Sequence, residues 1–180
     1  MGRKLLNRFT WSVSRDKLFR ACRRAYYYNY YGSWGGWEAD APEEVRKCYM
    51  LKNIKSLDMW AGSILHDVIA NGVRRYAETG DTIKAGRLQA EATRLLREGW
   101  AQAVNREWLR HPKKTNLHDL YYGNGRSLPR RQTDRIKNRV NRCIDAFVEA
   151  SVLHEIRAVP IFNWKPVDKL DSFLLDDHLT

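Results

Sequence analysis

Apolar residues recur at helical spacing along most of the 180-residue chain. Leu18, Cys22, Tyr26 and Tyr30 follow at every fourth position with Phe19 beside them, which predicts a first helix from an N-cap at Ser14 to a stop at Gly32. "GSWGGWEADAP" comes next, a flexible stretch in which glycines and Pro42 break any regular element. A second helix is predicted from Asp58 to Thr79, with Ala61, Leu65, Val68, Gly72 and Tyr76 on one face and Gly80 as its end. Asp81 then caps a third helix that runs through "LQAEATRLLREGWAQAVNREWL" and stops at Pro112. Lys113 to Leu128 reads as a loop, with turn residues at Gly123, Asn124 and Gly125. Pro129 suits the first turn of a fourth helix, whose apolar stripe is Ile136, Val140, Ile144 and Phe147.

After Leu153 the pattern shortens. "EIRAVPIFNW" and "DSFLLDD" have the brief apolar character of strands, and "LDD" resembles the approach to a hairpin. The pattern predicts a mainly α fold of four or so helices followed by the start of a small β-sheet. Residues 1–153 form the helical region, and residues 154–180 open a β-rich part that Thr180 cuts off. Two short strands alone make a poor fold.

Composition changes this picture through its charge. Thirty-two Lys and Arg face twenty-one Asp and Glu, leaving a formal +11 and a pI near 9.8. Such an excess draws polyanions at long range, nucleic acid foremost. Three scattered cysteines, Cys22, Cys48 and Cys143, argue against a secreted disulfide scaffold and make no close metal pair. The N-terminus lacks the apolar run of a signal peptide, and Leu6 breaks the myristoylation pattern. No run approaches the length of a membrane span. The expected location is cytoplasmic, with no membrane partner.

Three constellations bear on chemistry. In "WAGSILHDVIAN" Gly62 and His66 lie one helical turn apart, so a missing side chain leaves room beside the imidazole. That histidine is read either as a ligand for a metal or phosphate, or as a partly buried residue with a backbone partner. In "GRSLPRRQTDRIKNRVNRC" basic residues outnumber the single acid, Asp134. Arg131, Arg135, Arg139 and Arg142, with Arg130 just before them, gather near one helix face opposite the apolar stripe. The row is either a track for phosphates or a solvated face. In "CRRAYYYNYYGSWGGW" Arg20, Arg23 and Arg24 project among rings that either stack on unpaired bases or pack within the protein. On the packing alternative Tyr26 and Tyr30 turn inward, while Tyr27, Tyr28 and Tyr31 cover a helix interface.

The order of these motifs resembles the N-terminal part of RecB-type nucleases of the PD-(D/E)XK superfamily. "FTWSVSRDKLFRACRRAYYYNYYGSWGGW" matches that family's aromatic-Ser-x-Ser entry to a helix carrying Cys, Arg and a tyrosine-rich end, through Ser12, Ser14, Cys22, Arg23, Tyr26 and Tyr27. "MWAGSILHDVI" matches its Gly-x-x-x-His motif through Gly62 and His66. "NLHDLYYG" and "SFLLDD" look like later landmarks. The resemblance implies a metal-dependent DNA nuclease using Mg²⁺ or Mn²⁺, with His66 as the metal-holding, catalytic-site residue. DNA, single-stranded or a duplex end, is the expected partner, and on a partner-docking reading the exposed aromatics meet a helicase or other DNA-processing protein. In iron–sulfur relatives the cysteine matching Cys22 holds a cluster with three C-terminal cysteines. No such trio follows here, so Cys22 is expected to be a small buried apolar residue.

The departure from the family is large. No acidic residue in the chain has a lysine two positions on, and no Gln-x-x-x-Tyr follows. Asp168, Asp171, Asp176 and Asp177 lie near where an early family acid falls. Without the Asp and Asp/Glu-x-Lys residues, a lone histidine makes no Mg²⁺ site, and this chain alone is expected to bind no cofactor and cut no DNA. Two explanations follow: the helical part of a longer nuclease, its incomplete α/β core beginning at residue 154, or a stand-alone protein that binds nucleic acid or docks a partner without catalysis.

Overall fold

A computed structural model describes residues 6–123, 128–164, 174–175 and 178–179. The fold is mainly helical: eight α-helices occur among the described residues. The chain divides into two compact units, Met1–Ser56 with Gly99–Ser127, and Leu57–Glu98 with Leu128–Thr180.

The first unit opens on α1, Val13–Ala21. Its cap is Ser12, not the expected Ser14. Ser12 has the extended backbone of a cap, and its hydroxyl accepts from the Arg15 N–H at 3.2 Å. Ser14 already lies in the first turn, its hydroxyl 3.0 Å from that of Ser12. The expected single helix to Gly32 is also broken. Cys22 turns to extended backbone (φ −161°), and α2 restarts at Arg23–Tyr27 before a wide π-type turn over Tyr28–Gly32. The Cys22 N–H still reaches Leu18 O, and Tyr26 N–H reaches Cys22 O, so the kink orphans neither group.

The glycine-rich stretch is ordered by what it packs on. Helix α3, Glu43–Lys52, follows Pro42, carries Glu43 and Glu44 in its first turn and ends on Lys52. That charge order complements the helix dipole. A Cβ on Gly36 would collide with the Tyr49 side chain and the Val45 carbonyl, so only glycine lets the 33–37 turn lie this close to α3. Trp34, Trp37 and Tyr49 then stack edge to face at 5.1 and 5.5 Å. Further along, Lys55 pairs with Leu117 in a parallel bridge. The stretch expected as a loop contains a short helix, α6 (His118–Tyr121), whose Tyr121 ring lies 5.2 Å from the buried Trp108 ring.

The second unit is built on α4 (Leu57–Thr79), the first part of α5 (Ala85–Val104), α7 (Arg130–Glu149) and α8 (Ser151–Ala158). Trp60, Ala61, Ile64 and Val68 of α4 are buried, as are Ile136, Val140 and Ile144 of α7, and the two helices pack together. Leu88, Ala92 and Leu96 add the stripe of α5, with Leu88 pressed against Gly72. Gln89 donates to Asp145 at 2.7 Å, tying α5 to α7.

Three further element boundaries differ from expectation. Asp81 does not cap α5, which begins at Ala85; its carboxylate instead faces Arg87 at 3.5 Å. That helix stops at Val104, because Arg106 takes a left-handed conformation (φ 52°) and leads into a 3₁₀ turn over Glu107–Leu109. Residues expected to begin strands after Leu153 belong to α8 and to a 3₁₀ turn, Ile161–Asn163. The cause is spacing: Leu153 and Ile156 lie three apart, on one helical face, and Leu153 is fully buried. At the C-terminal end Leu174–Leu175 pairs antiparallel with His178–Leu179, Leu174 opposite Leu179. The rest of the expected sheet start, with Asp168, Asp171, Asp176 and Asp177, lies outside the described residues, as do Asn124 and Gly125 of the expected turn.

Two stability outcomes follow. Gly36→Ala forces the turn off α3 and is expected to cost about 1–3 kcal/mol, read as a lower midpoint in urea. Ile144→Ala, at a site with no exposure, is expected to cost about 2–5 kcal/mol, whereas Arg142→Ala on the same helix should stay within about 0.5 kcal/mol.

Candidate nucleic-acid interface

Two surfaces collect the charged and aromatic residues singled out above. The first lies on α7. A helix advances about 100° per residue, so burial of Ile136, Val140 and Ile144 fixes which side of α7 faces inward and sends Arg131, Arg135, Arg139 and Arg142 to the other. All four arginines, and Arg130, are exposed. Arg139 donates to the Asp58 carboxylate at 2.8 Å, and Arg130 stands 3.8 Å from Asp134. Arg131, Arg135 and Arg142 form no ion pair among the described residues, and with Asn138 and Asp134 they line a shallow surface depression. The expected basic face is therefore present, with part of its charge neutralised.

The second surface runs over α1, α2 and the wide turn. None of these elements buries a residue. The rings pack on one another instead: Phe19 on Tyr26 at 5.3 Å, Tyr26 on Tyr30 at 5.1 Å, and Tyr27 stacked on Tyr31 at 6.5 Å. Tyr26 and Tyr30 are half-buried, while Tyr27 and Tyr28 are 55% and 44% exposed. Cations complete the cluster. The Arg15 guanidinium sits 4.1 Å from the Tyr30 ring centre, Arg23 lies over Phe19 at 5.4 Å, and Arg24 over Tyr28 at 5.8 Å. Arg20 is held by Asp16 at 2.8 Å. Hydrogen bonding with Tyr31, and then desolvation, raises the Tyr26 phenol above its ordinary value.

Sequence reasoning missed Arg15, Lys52 and Lys113 as members of this surface. Lys52 Nζ donates to Asn29 O at 2.7 Å and stands 5.7 Å from the Tyr30 ring; Lys113 lies over Trp37 at 5.7 Å. Desolvation, followed by repulsion from Arg15, holds the Lys52 ammonium below the usual lysine value. Helix spacing carried a signal only for Arg15, one turn before Phe19.

Cys22 departs from expectation. It is exposed rather than buried, because its sulfur serves the kink: Sγ accepts from the Ala25 N–H at 3.4 Å and caps α2. Gly62 and His66 are exposed on α4, and the space beside Gly62 is open, as the spacing implied. On a helix His66 falls nearly opposite Ile64 and Val68. Among the described residues no group of three or more His, Cys, Asp or Glu is placed to hold a metal ion. A Mg²⁺ or Mn²⁺ site wants several oxygen ligands, and the described residues do not gather such a set at His66. No helix among the described residues is long and apolar enough to cross a membrane.

Comparisons with protein-family models, curated proteins and solved structures give no match.

The exposure of the thiols has a direct readout. Cys22 and Cys143 are expected to react fully with a maleimide in the folded protein, and half-buried Cys48 more slowly, as followed by peptide mass spectrometry; a Cys22 that labels only in denaturant would contradict its role as an exposed cap.

Proposed function

We propose that this chain is the DNA-binding helical portion of a RecB-like, metal-dependent PD-(D/E)XK nuclease, lacking the Asp and Asp/Glu-x-Lys residues that do the chemistry. The observation that carries the reading is the face of α7, where Arg131, Arg135 and Arg142 stand exposed and without an ion pair among the described residues. Cations so placed release condensed counterions when they meet phosphates, and binding then weakens steeply with salt. The chain's +11 supports the same partner by steering a polyanion toward it. The start of a small β-sheet after the helices, and the motif order around Ser12, Cys22 and Gly62–His66, belong to this reading as well. On this reading the chain by itself does not cleave, because the Asp and Asp/Glu-x-Lys residues of the family pattern are missing from its sequence. Its alternative is a stand-alone non-catalytic protein that binds nucleic acid or docks a partner; the nucleic-acid-binding form shares the α7 surface and differs in what a longer chain would do.

The test is duplex affinity by fluorescence anisotropy between about 50 and 200 mM salt. Replacing Arg131, Arg135 and Arg142 together by Ala is expected to weaken binding at least about tenfold at the lower salt and to flatten the salt slope by about 2–3. His66→Ala should leave affinity unchanged, and Mg²⁺ should produce no cleavage. A wild-type salt slope in the triple variant would remove α7 from the contact.

A further inference from the structure

The wide turn after α2 and the helix α3 enclose a second feature in the first unit, one that the basic face of α7 does not account for. Between them runs an open groove of about 720 Å³, lined by Ala25, Tyr28, Asn29, Lys47, Leu51 and Lys52. That volume falls in the range of about 300–1,000 Å³ at which proteins hold ring-sized ligands. Of the exposed rings Tyr28 lines the groove itself, Tyr27 meets Tyr28 edge to face at 5.4 Å, and Tyr31 stacks on Tyr27. Contiguous exposed rings are costly to leave in water and mark a surface suited to a partner.

Charge says what kind of occupant. Lys47 and Lys52 stand in the groove against one acid, Glu44, and Arg24 lies over the Tyr28 ring at its edge. Over residues 8–37 Arg8, Arg15, Lys17, Arg20, Arg23 and Arg24 face only Asp16. An occupant must therefore offer flat apolar faces and negative charge within a few ångströms of each other. Duplex DNA presents its charge but keeps its base faces stacked inside. An unpaired strand presents both.

We infer that the groove between the wide turn and α3 is a stacking site for unpaired nucleobases of single-stranded nucleic acid. Tyr28 and Tyr27 supply the stacking rings, and Lys47, Lys52 and Arg24 take the phosphates. Every base has a π-face, so the site tolerates sequence and discriminates by strandedness. This rests on the reading that the chain engages nucleic acid, but it uses residues of the first unit alone.

The experiment compares three ligands on the full chain by fluorescence anisotropy: a short oligo-dT, an abasic strand of equal length, and a poly-glutamate peptide. Oligo-dT is expected to bind at least about tenfold tighter than the abasic strand. Tyr27→Ala with Tyr28→Ala should erase that difference, Tyr28→Phe should keep it, and Lys47→Ala should weaken both strands alike. Equal binding of oligo-dT and the abasic strand overturns the stacking site; if duplex binding still falls with the α7 triple variant, the reading of α7 stands regardless. Poly-glutamate binding as tight as oligo-dT, and lost with Tyr28→Ala, overturns it in favour of an acidic protein partner. No binding of any strand or duplex overturns both.

Discussion

Burial of Ile136, Val140 and Ile144 sets the rotation of α7 about its own axis, and the basic surface depends on that one constraint. The arginines of this helix need no neighbour to aim them. The apolar stripe aims them by occupying the opposite side, since a helix cannot turn one face inward without turning the other out. The same stripe packs α7 along α4, so the rotation is held by a seam and not by the arginines' own contacts. The Arg139–Asp58 pair is exposed on both sides and adds little to the seam. Its effect is to neutralise one charge of the row.

The first unit solves a different problem. Its rings are too many to bury on helices as short as α1 and α2, so they cover one another and recruit cations. Arg15, Arg23, Arg24 and Lys52 each meet a ring, and the glycine at position 36 lets the tryptophan turn close on Tyr49. A cluster of this sort is firm in its ring-to-ring geometry yet remains open to solvent. In that respect it differs from a core, which spends its aromatic surface on itself.

What could be read from the residues tracks how local the cause was. Helices α4 and α7 are legible because each repeats its apolar positions over many turns; both ends of α4 and the start of α7 fall within a residue of the expected ones. Helix α3 escapes the periodicity although Pro42, Glu43, Glu44 and Lys52 mark both its ends, because the glycines before it read as a flexible stretch. The stretch after Leu153 looked strand-like, since Ile156, Val159 and Ile161 are β-branched; tertiary burial of Leu153 decided for helix. The fourfold spacing around Cys22 was real, but spacing alone does not say whether a stripe meets a core or solvent. The cation over Trp37 comes from Lys113, far along the chain, and no local pattern announces it.

The helical rise of α7 gives the basic row a length. Arg131 and Arg142 are eleven residues apart, which on an α-helix is about 16 Å. Along a duplex axis that distance covers about five base-pair steps of 3.4 Å each. Along the row the cations without an ion pair among the described residues stand four and then seven residues apart, the gap falling where Arg139 is held by Asp58.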